Sequence, residues 1–206
     1  ATTGIYTLSL HDALPILLGL QAGRIKDKEL HAILEDTRNR VRSMALLHEA
    51  LYRSGDFANI SFGTYISDLC RQIVASHGQL ARLVKVERRL GDIELSMDQA
   101  VPCALIVNEL VSNALKHAFP NNRPGSVVVT FERSDEQSLL LCVQDDGVGM
   151  PAGIDPSNSP TLGLLLVSEL TGQLLGHLTV ERPSEGGTDF RVSFPVSANM
   201  NQKGAR

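Results

Sequence analysis

No apolar run in these 206 residues approaches the roughly 20 that a membrane span requires, and no cleavable secretory signal is apparent. Cysteine is scarce. Cys70, Cys103 and Cys142 are odd in number, scattered, and each lies in an apolar stretch. That pattern argues against a disulfide framework or a metal cluster and reads as small buried side chains in a reducing compartment. Basic charge is not in excess, because 19 Lys and Arg against 23 Asp and Glu leave a net charge of −4. A nucleic-acid footprint is thereby missing. No internal repeat is evident. What is present, 43% hydrophobic and 20% charged residues, is the make-up of a soluble globular protein with one ordinary domain and a smaller element. A cytoplasmic location is the expectation, with no membrane contact within this segment.

Proline is also missing from 17 to 55, where Leu30, Ile33, Leu34, Val41, Met44, Leu47 and Leu51 recur at helical spacing. Lys26-Asp27-Lys28 reads as a tight turn between two helices. A lone helical hairpin exposes its apolar seam, so pairing with a second copy into a four-helix bundle is the natural remedy. Arg38, Arg40 and Arg42 fall mostly off that seam. A shorter helical pattern runs from Ile60 to about His77. Beyond Leu80 the texture changes. Strands are predicted at 83–87, 93–97, 126–132, 138–144, 178–181 and 189–195, and helices at 97–118, stopped by Pro120, and 162–175. The fold class is therefore α+β: a helical hairpin over 17–79, then an α/β sandwich over 80–197 with one mixed sheet and helices on one face. A polar tail, 198–206, follows.

Four stretches carry candidate chemistry. In NELVSNALKHAF, Asn108 to Phe119, ideal helical spacing puts Glu109, Asn113 and Lys116 within an arc of about 60°, away from the apolar stripe. A carboxylate, an amide and an ammonium there could hold a hydrated Mg²⁺ and the phosphates it bridges, although a solvated helix face gives the same pattern. DDGVGMP, Asp145 to Pro151, follows a strand. A carboxylate at a strand end, then two glycines, admits a flat ligand close to the backbone, and a plain turn would use the same residues. TLGLLLV, Thr161 to Val167, sets a glycine at a helix start, where amides are free for anions. EGGTDF, Glu185 to Phe190, could be no more than a hairpin turned on Gly186-Gly187.

Taken together, in this order and spacing, the four resemble the N box, the two glycine boxes and the closing strand motif of the ATP-binding domain of sensor histidine kinases. This is the GHKL (Bergerat) nucleotide fold, shared with gyrase, a heat-shock chaperone and a mismatch-repair ATPase. The stretch LLGLQAGRIKDKELHAILEDTRNRVRSMALLHEALYRS, Leu17 to Ser54, resembles the dimerisation and phosphotransfer hairpin of one histidine-kinase subgroup, which gyrase and the chaperone lack. The resemblance implies ATP and Mg²⁺ as ligands, with Asn113 the metal ligand and Asp145 the reader of adenine. It implies Glu109 orienting or deprotonating near the γ-phosphate, and Lys116 and His117 meeting phosphate or ribose. Gly147, Gly149 and Gly163 would frame the pocket, Thr188 would lie at its floor, and Asp146 would shape the turn. Thr161 stands where this family often has another glycine, and the loop 152–160 is short for a lid. The implied partners are a second copy, through the hairpin, and the receiver domain of a response regulator.

His11, in TLSLHDALPI, is not the phosphate acceptor. In the subgroup the acceptor lies about twelve residues before a Leu-Leu-x-Leu-Gln stretch like Leu17 to Gln21, a register that lands on Ile5. Pro15 would interrupt the helix as well. Residues 7–16 resemble the one-frame translation of a common sequencing adapter, so 1–16 is expected to be an artefact that overwrote the acceptor half of the first helix. Nucleotide binding without autophosphorylation is the resulting expectation. His48 reads as structural or docking, and His31, His77 and His177 keep no chemical company. Two other functions fit parts of the pattern: a serine kinase of the anti-sigma type on the same fold, and a non-catalytic nucleotide-binding dimerisation module.

Overall fold

A computed structural model describes residues 59–78, 82–151 and 162–196, together with 27, 30, 33, 34, 37–42 and 45 of the N-terminal part. The expectations for Ile5, His11, Leu17 to Gln21, His31, His48, the loop 152–160, Thr161 and the tail lie outside these residues. Residues 30, 33, 34, 37–42 and 45 are helical. Asp27 Oδ1 accepts the Leu30 amide at 3.2 Å, capping a helix start at the turn expected there. Leu30 and Ile33 keep about half of their surface exposed.

The other described residues build β1 (Asn59–Ser61), α1 (Phe62–Ser76), β2 (Val84–Leu90), β3 (Glu94–Ser96), α2 (Met97–Asn113), β4 (Gly125–Arg133), β5 (Ser138–Asp145), α3 (Leu162–Gln173), β6 (His177–Glu181) and β7 (Thr188–Pro195). Five strands form one mixed sheet in the order β2-β4-β5-β7-β6. Only β2 and β4 run parallel; the other pairs are antiparallel. The alternation of the strands explains which face is covered. Val127, Val129 and Phe131 of β4, Leu139, Leu141 and Val143 of β5, and Phe190, Val192 and Phe194 of β7 are buried. Phe131 meets Phe62 of α1 edge-on, with ring centroids 5.0 Å apart. α2 lies at the centre of the helical layer and is buried from Gln99 to Ser112 except Val101.

Two differences from the sequence expectation change the character of an element. Ile60 begins no helix: residues 59–61 pair antiparallel with β3 as a separate two-stranded ribbon, and the helix starts at Phe62, whose amide donates to the Ile93 carbonyl at 3.0 Å. The helix expected over 97–118 is α-helical only to Asn113; Ala114–Ala118 is a π-turn. An i→i+5 turn advances less per residue than an α-helix, so the 100° spacing used to group Lys116 with Glu109 and Asn113 does not hold past Ala114. Among the described residues no helix is long and apolar enough to cross a membrane.

Candidate functional site

β5 ends at Asp145, whose backbone is in register with Thr188 at the start of β7. A sheet end so placed delivers a carboxylate into the layer between sheet and helices, and Asp145 is 6% exposed. Its Oδ1 accepts the Gly147 amide at 2.9 Å. Burial raises the Asp145 carboxyl above the ordinary aspartate range; the hydrogen bonds from the Gly147 amide and from the backbone and side chain of Thr188 act the other way. Asp146 points elsewhere. Its carboxylate accepts the Ser126 amide at 2.7 Å and the Ser126 hydroxyl at 2.8 Å, tying the turn to β4.

The glycines explain why this turn has its sequence. A Cβ on Gly147 would overlap the carbonyl and Cβ of Ala118, at the end of the π-turn. The Val148 amide donates to that same Ala118 carbonyl at 2.9 Å. Gly149 and Gly187 both have left-handed φ, 76° and 88°, and approach each other backbone to backbone, while Gly187 also lies against the Asp145 carbonyl. The first glycine box, the end of the N box and the Gly186-Gly187 turn are thereby brought together, although the sequence separates them widely.

On α2, Glu109 is buried and Asn113 is half-buried. The start of α3 covers both: a Cβ on Gly163 would lie 3.0 Å from Glu109 Oε2 and 3.5 Å from Asn113 Nδ2. Gly163, Glu109 and Asn113 therefore form a second cluster. Lys116 and His117, on the π-turn, are exposed. The solvated-face reading of the N box fails for Glu109, which is buried with both carboxylate oxygens bonded. Arg40 donates through Nε to Oε1 at 2.7 Å and through Nη2 to Oε2 at 2.9 Å, and Asn108 Nδ2 reaches Oε1 at 3.3 Å. The sequence reading did not single out Arg40 or Asn108 as partners of Glu109. A signal for Arg40 was its place off the apolar seam of its helix, but nothing local pointed to a residue 69 positions away.

These residues fit a nucleotide with a divalent metal. Among the described residues no cluster of three or more His, Cys, Asp or Glu could cage a metal. Asn113 offers an amide oxygen, and Mg²⁺ characteristically takes one or two protein oxygens and completes its shell with phosphates and water. The cysteines stay out of the chemistry. Cys70 and Cys103 are buried, and Cys142 donates its thiol to Asp189 Oδ1 at 2.9 Å. Burial, above all, pushes the Cys70 and Cys142 thiols up to about 12. His77 Nδ1 donates to the Ile73 carbonyl at 2.7 Å, a structural bond, and His177 is exposed on β6.

A buried acid at a strand end, a glycine turn locked onto the end of a central helix, and an amide facing a glycine at a helix start define the class of nucleotide-binding α/β sandwich that the motifs resemble. Comparison with known proteins agrees. Residues 13–77 match the family described as histidine kinase, and residues 98–198 match the histidine kinase-, DNA gyrase B-, and HSP90-like ATPases. The sensor histidine kinase PdtaS of Mycobacterium tuberculosis is 36% identical over 183 residues, covering 87% of this chain and 36% of its own length. Blue-light-activated histidine kinase 2 of Erythrobacter litoralis is 28% identical over 162 residues, 77% of this chain and 46% of its own. The solved histidine kinase domain of the Erythrobacter litoralis EL346 blue-light activated kinase superposes with a TM-score of 0.71 at 26% identity, covering 89% of this chain and 95% of that one. This chain belongs to the histidine kinases and carries their two transmitter domains. It spans about a third of the length of the PdtaS relative.

Proposed function

We propose that this chain is the cytoplasmic transmitter portion of a sensor histidine kinase. It binds Mg-ATP in the sandwich and serves transfer of the γ-phosphoryl group to a histidine of the hairpin, for relay to a response-regulator aspartate. The observation that carries this reading is the state of Asp145: a buried carboxylate held by Gly147 and Thr188, with one edge suited to accept an exocyclic amine. Asn113 would hold the metal, and Gly147, Gly149 and Gly163 would let the backbone close on the ligand. Mg²⁺, when bound, neutralises phosphate charge. Lys116 and His117, exposed on the π-turn, would meet the phosphates or the ribose. In the transfer a histidine nitrogen forms its bond to the γ-phosphorus in line as the bond to the β,γ-bridging oxygen breaks. ADP leaves, and the imidazole gives up its ring proton.

Pairing of two hairpins into a four-helix bundle would cover the half-exposed Leu30 and Ile33. With residues 1–16 as written, the acceptor is absent, and no label is expected on this polypeptide from γ-labelled ATP. The test is calorimetric titration with ATP and Mg²⁺ of the wild-type chain, Asn113→Ala and Asp145→Asn. Binding by the wild type and a large loss in both variants supports the reading; equal affinity in all three would sink it. On the parent protein with its own upstream helix, acid-labile phosphate is expected. Acid-stable phosphate would favour a serine kinase on the same fold.

A further inference from the structure

The Arg40–Glu109 pair joins two parts of the molecule that match different family models. Arg40 lies in the segment 13–77 that matches the histidine kinase family, and Glu109 lies in the ATPase-type domain. The pair is a two-bond fork, and the Arg40 and Glu109 side chains are only 17% and 8% exposed. Such planar, bidentate contacts are geometrically exacting and little screened by solvent. Both carboxylate oxygens of Glu109 are engaged. On its other side Glu109 meets the start of α3, with Gly163 pressed against it and against Asn113. A triphosphate and its metal would lie between Asn113 and that helix start, where a Cβ on Gly163 would come within 3.5 Å of Asn113 Nδ2.

We propose that Arg40 is a positioning residue that acts through Glu109. Its fork clamps α2 to the helical stretch 37–42 and holds the phosphate end of the pocket closed, and the clamp opens when Mg-ATP enters. The position of the hairpin thereby sets the affinity of the site for nucleotide. This inference rests on the reading of Glu109 and Asn113 as the phosphate end of the pocket. If the clamped form and the nucleotide-bound form exclude each other, part of every binding event is spent opening the clamp. Removing the clamp then strengthens binding by the factor with which the closed form was favoured. A residue that only helped the fold would not do this, since its loss weakens binding or leaves it alone.

The experiment is Mg-ATP titration of the full 206-residue chain and Arg40→Gln, with hydrogen exchange of residues 37–42 followed in both. Arg40→Gln is expected to bind Mg-ATP roughly 5- to 20-fold more tightly. In the wild type, exchange at 37–42 should rise when Mg-ATP is added; in Arg40→Gln it should be high from the start. Arg40→Lys retains the charge but not the fork, and an intermediate gain is expected. That variant also serves if Arg40→Gln fails to fold because it strands a buried carboxylate. Unchanged or weaker Mg-ATP binding by the folded Arg40 variant, or exchange at 37–42 that falls on adding nucleotide, overturns the clamp. A wild-type chain that binds no nucleotide, or whose affinity ignores Asn113→Ala and Asp145→Asn, overturns the underlying site and the clamp with it. If those two variants weaken binding while Arg40→Gln does not strengthen it, the clamp alone falls.

Discussion

Gly147 packs directly against Ala118, so that the first glycine box and the end of the N box share one surface with no room for a side chain between them. The Val148 amide closes the joint by donating to the Ala118 carbonyl. A methyl group at 147 must therefore push the turn off the helix end, and overpacking of this kind costs about 1–3 kcal/mol. Gly147→Ala is expected to lower the thermal midpoint accordingly and to weaken nucleotide binding further, because Asp145 Oδ1 is bonded to the Gly147 amide itself. Gly172→Ala is the control. Nothing among the described residues lies within 4 Å of a Cβ there, and the substitution is expected to be neutral or slightly stabilising in the same melting experiment.

Strands whose residues alternate were legible from the chain alone. β5 and β7 were read to within a residue, because one face of each is packed on helices and the other is not. β2 runs three residues beyond its expected end, through Arg88 and Arg89. Pairing with β4 carries it to the register Leu90 with Phe131, and long-range pairing is invisible in a local pattern. The same holds for β1, three residues whose strand character comes entirely from β3, and for Arg40, which acquires its meaning from Glu109. The π-turn at Ala114–Ala118 was hidden for another reason. Its residues are ordinary helix formers, and nothing in ALKHA marks the wider turn. The motifs found the glycines and Asp145 because close backbone approach restricts residue type; the partners of those residues had to be seen.

α3 ends in a Schellman motif, in which the Gly176 amide donates to the Thr171 carbonyl at 3.0 Å and the Leu175 amide to the Gly172 carbonyl at 2.9 Å. The left-handed position of that motif is held by Leu175, at φ 53°, with 83% of its surface exposed. A leucine there has a strained backbone and almost no packing in return. Leu175→Gly is expected to stabilise the domain by about 1 kcal/mol, read as a higher denaturant midpoint with an unchanged slope. A loss of stability would mean that Leu175 is covered in solution.

Ser112 Oγ is buried on α2 and makes no hydrogen bond among the described residues, and it lines a small cleft with Asn39, Arg42, Gln72 and Asn108. None of these is a predicted nucleotide contact. An unsatisfied buried hydroxyl is costly, so Ser112→Ala is expected to raise stability by about 1 kcal/mol and to leave Mg-ATP affinity as it was. Destabilisation of similar size in the same denaturation series would show that the hydroxyl has found a partner, such as a water, in solution.

Asp145→Asn separates binding from folding, because the two respond to the same charge in opposite ways. If the acid reads the base as proposed, the amide is expected to lose roughly 10- to 100-fold in Mg-ATP affinity, the loss of a buried hydrogen bond to a charged group. Stability moves with pH instead. Burial raises the folded carboxyl above its unfolded value, so the folded state holds this proton more tightly than the unfolded chain does. The favourable contribution is fully present below the unfolded value, about 3.9, and is lost as pH rises through the raised folded value. The amide has no such titration. The stability of the variant relative to the wild type should therefore climb from acid pH and level off once the folded carboxyl has ionised. Rearranged hydrogen bonds to Thr188 add an offset that does not change with pH, so the slope is the quantity to measure. Urea midpoints of both proteins across that window give it directly, and a difference that stays flat or falls with rising pH contradicts the burial of charge at Asp145.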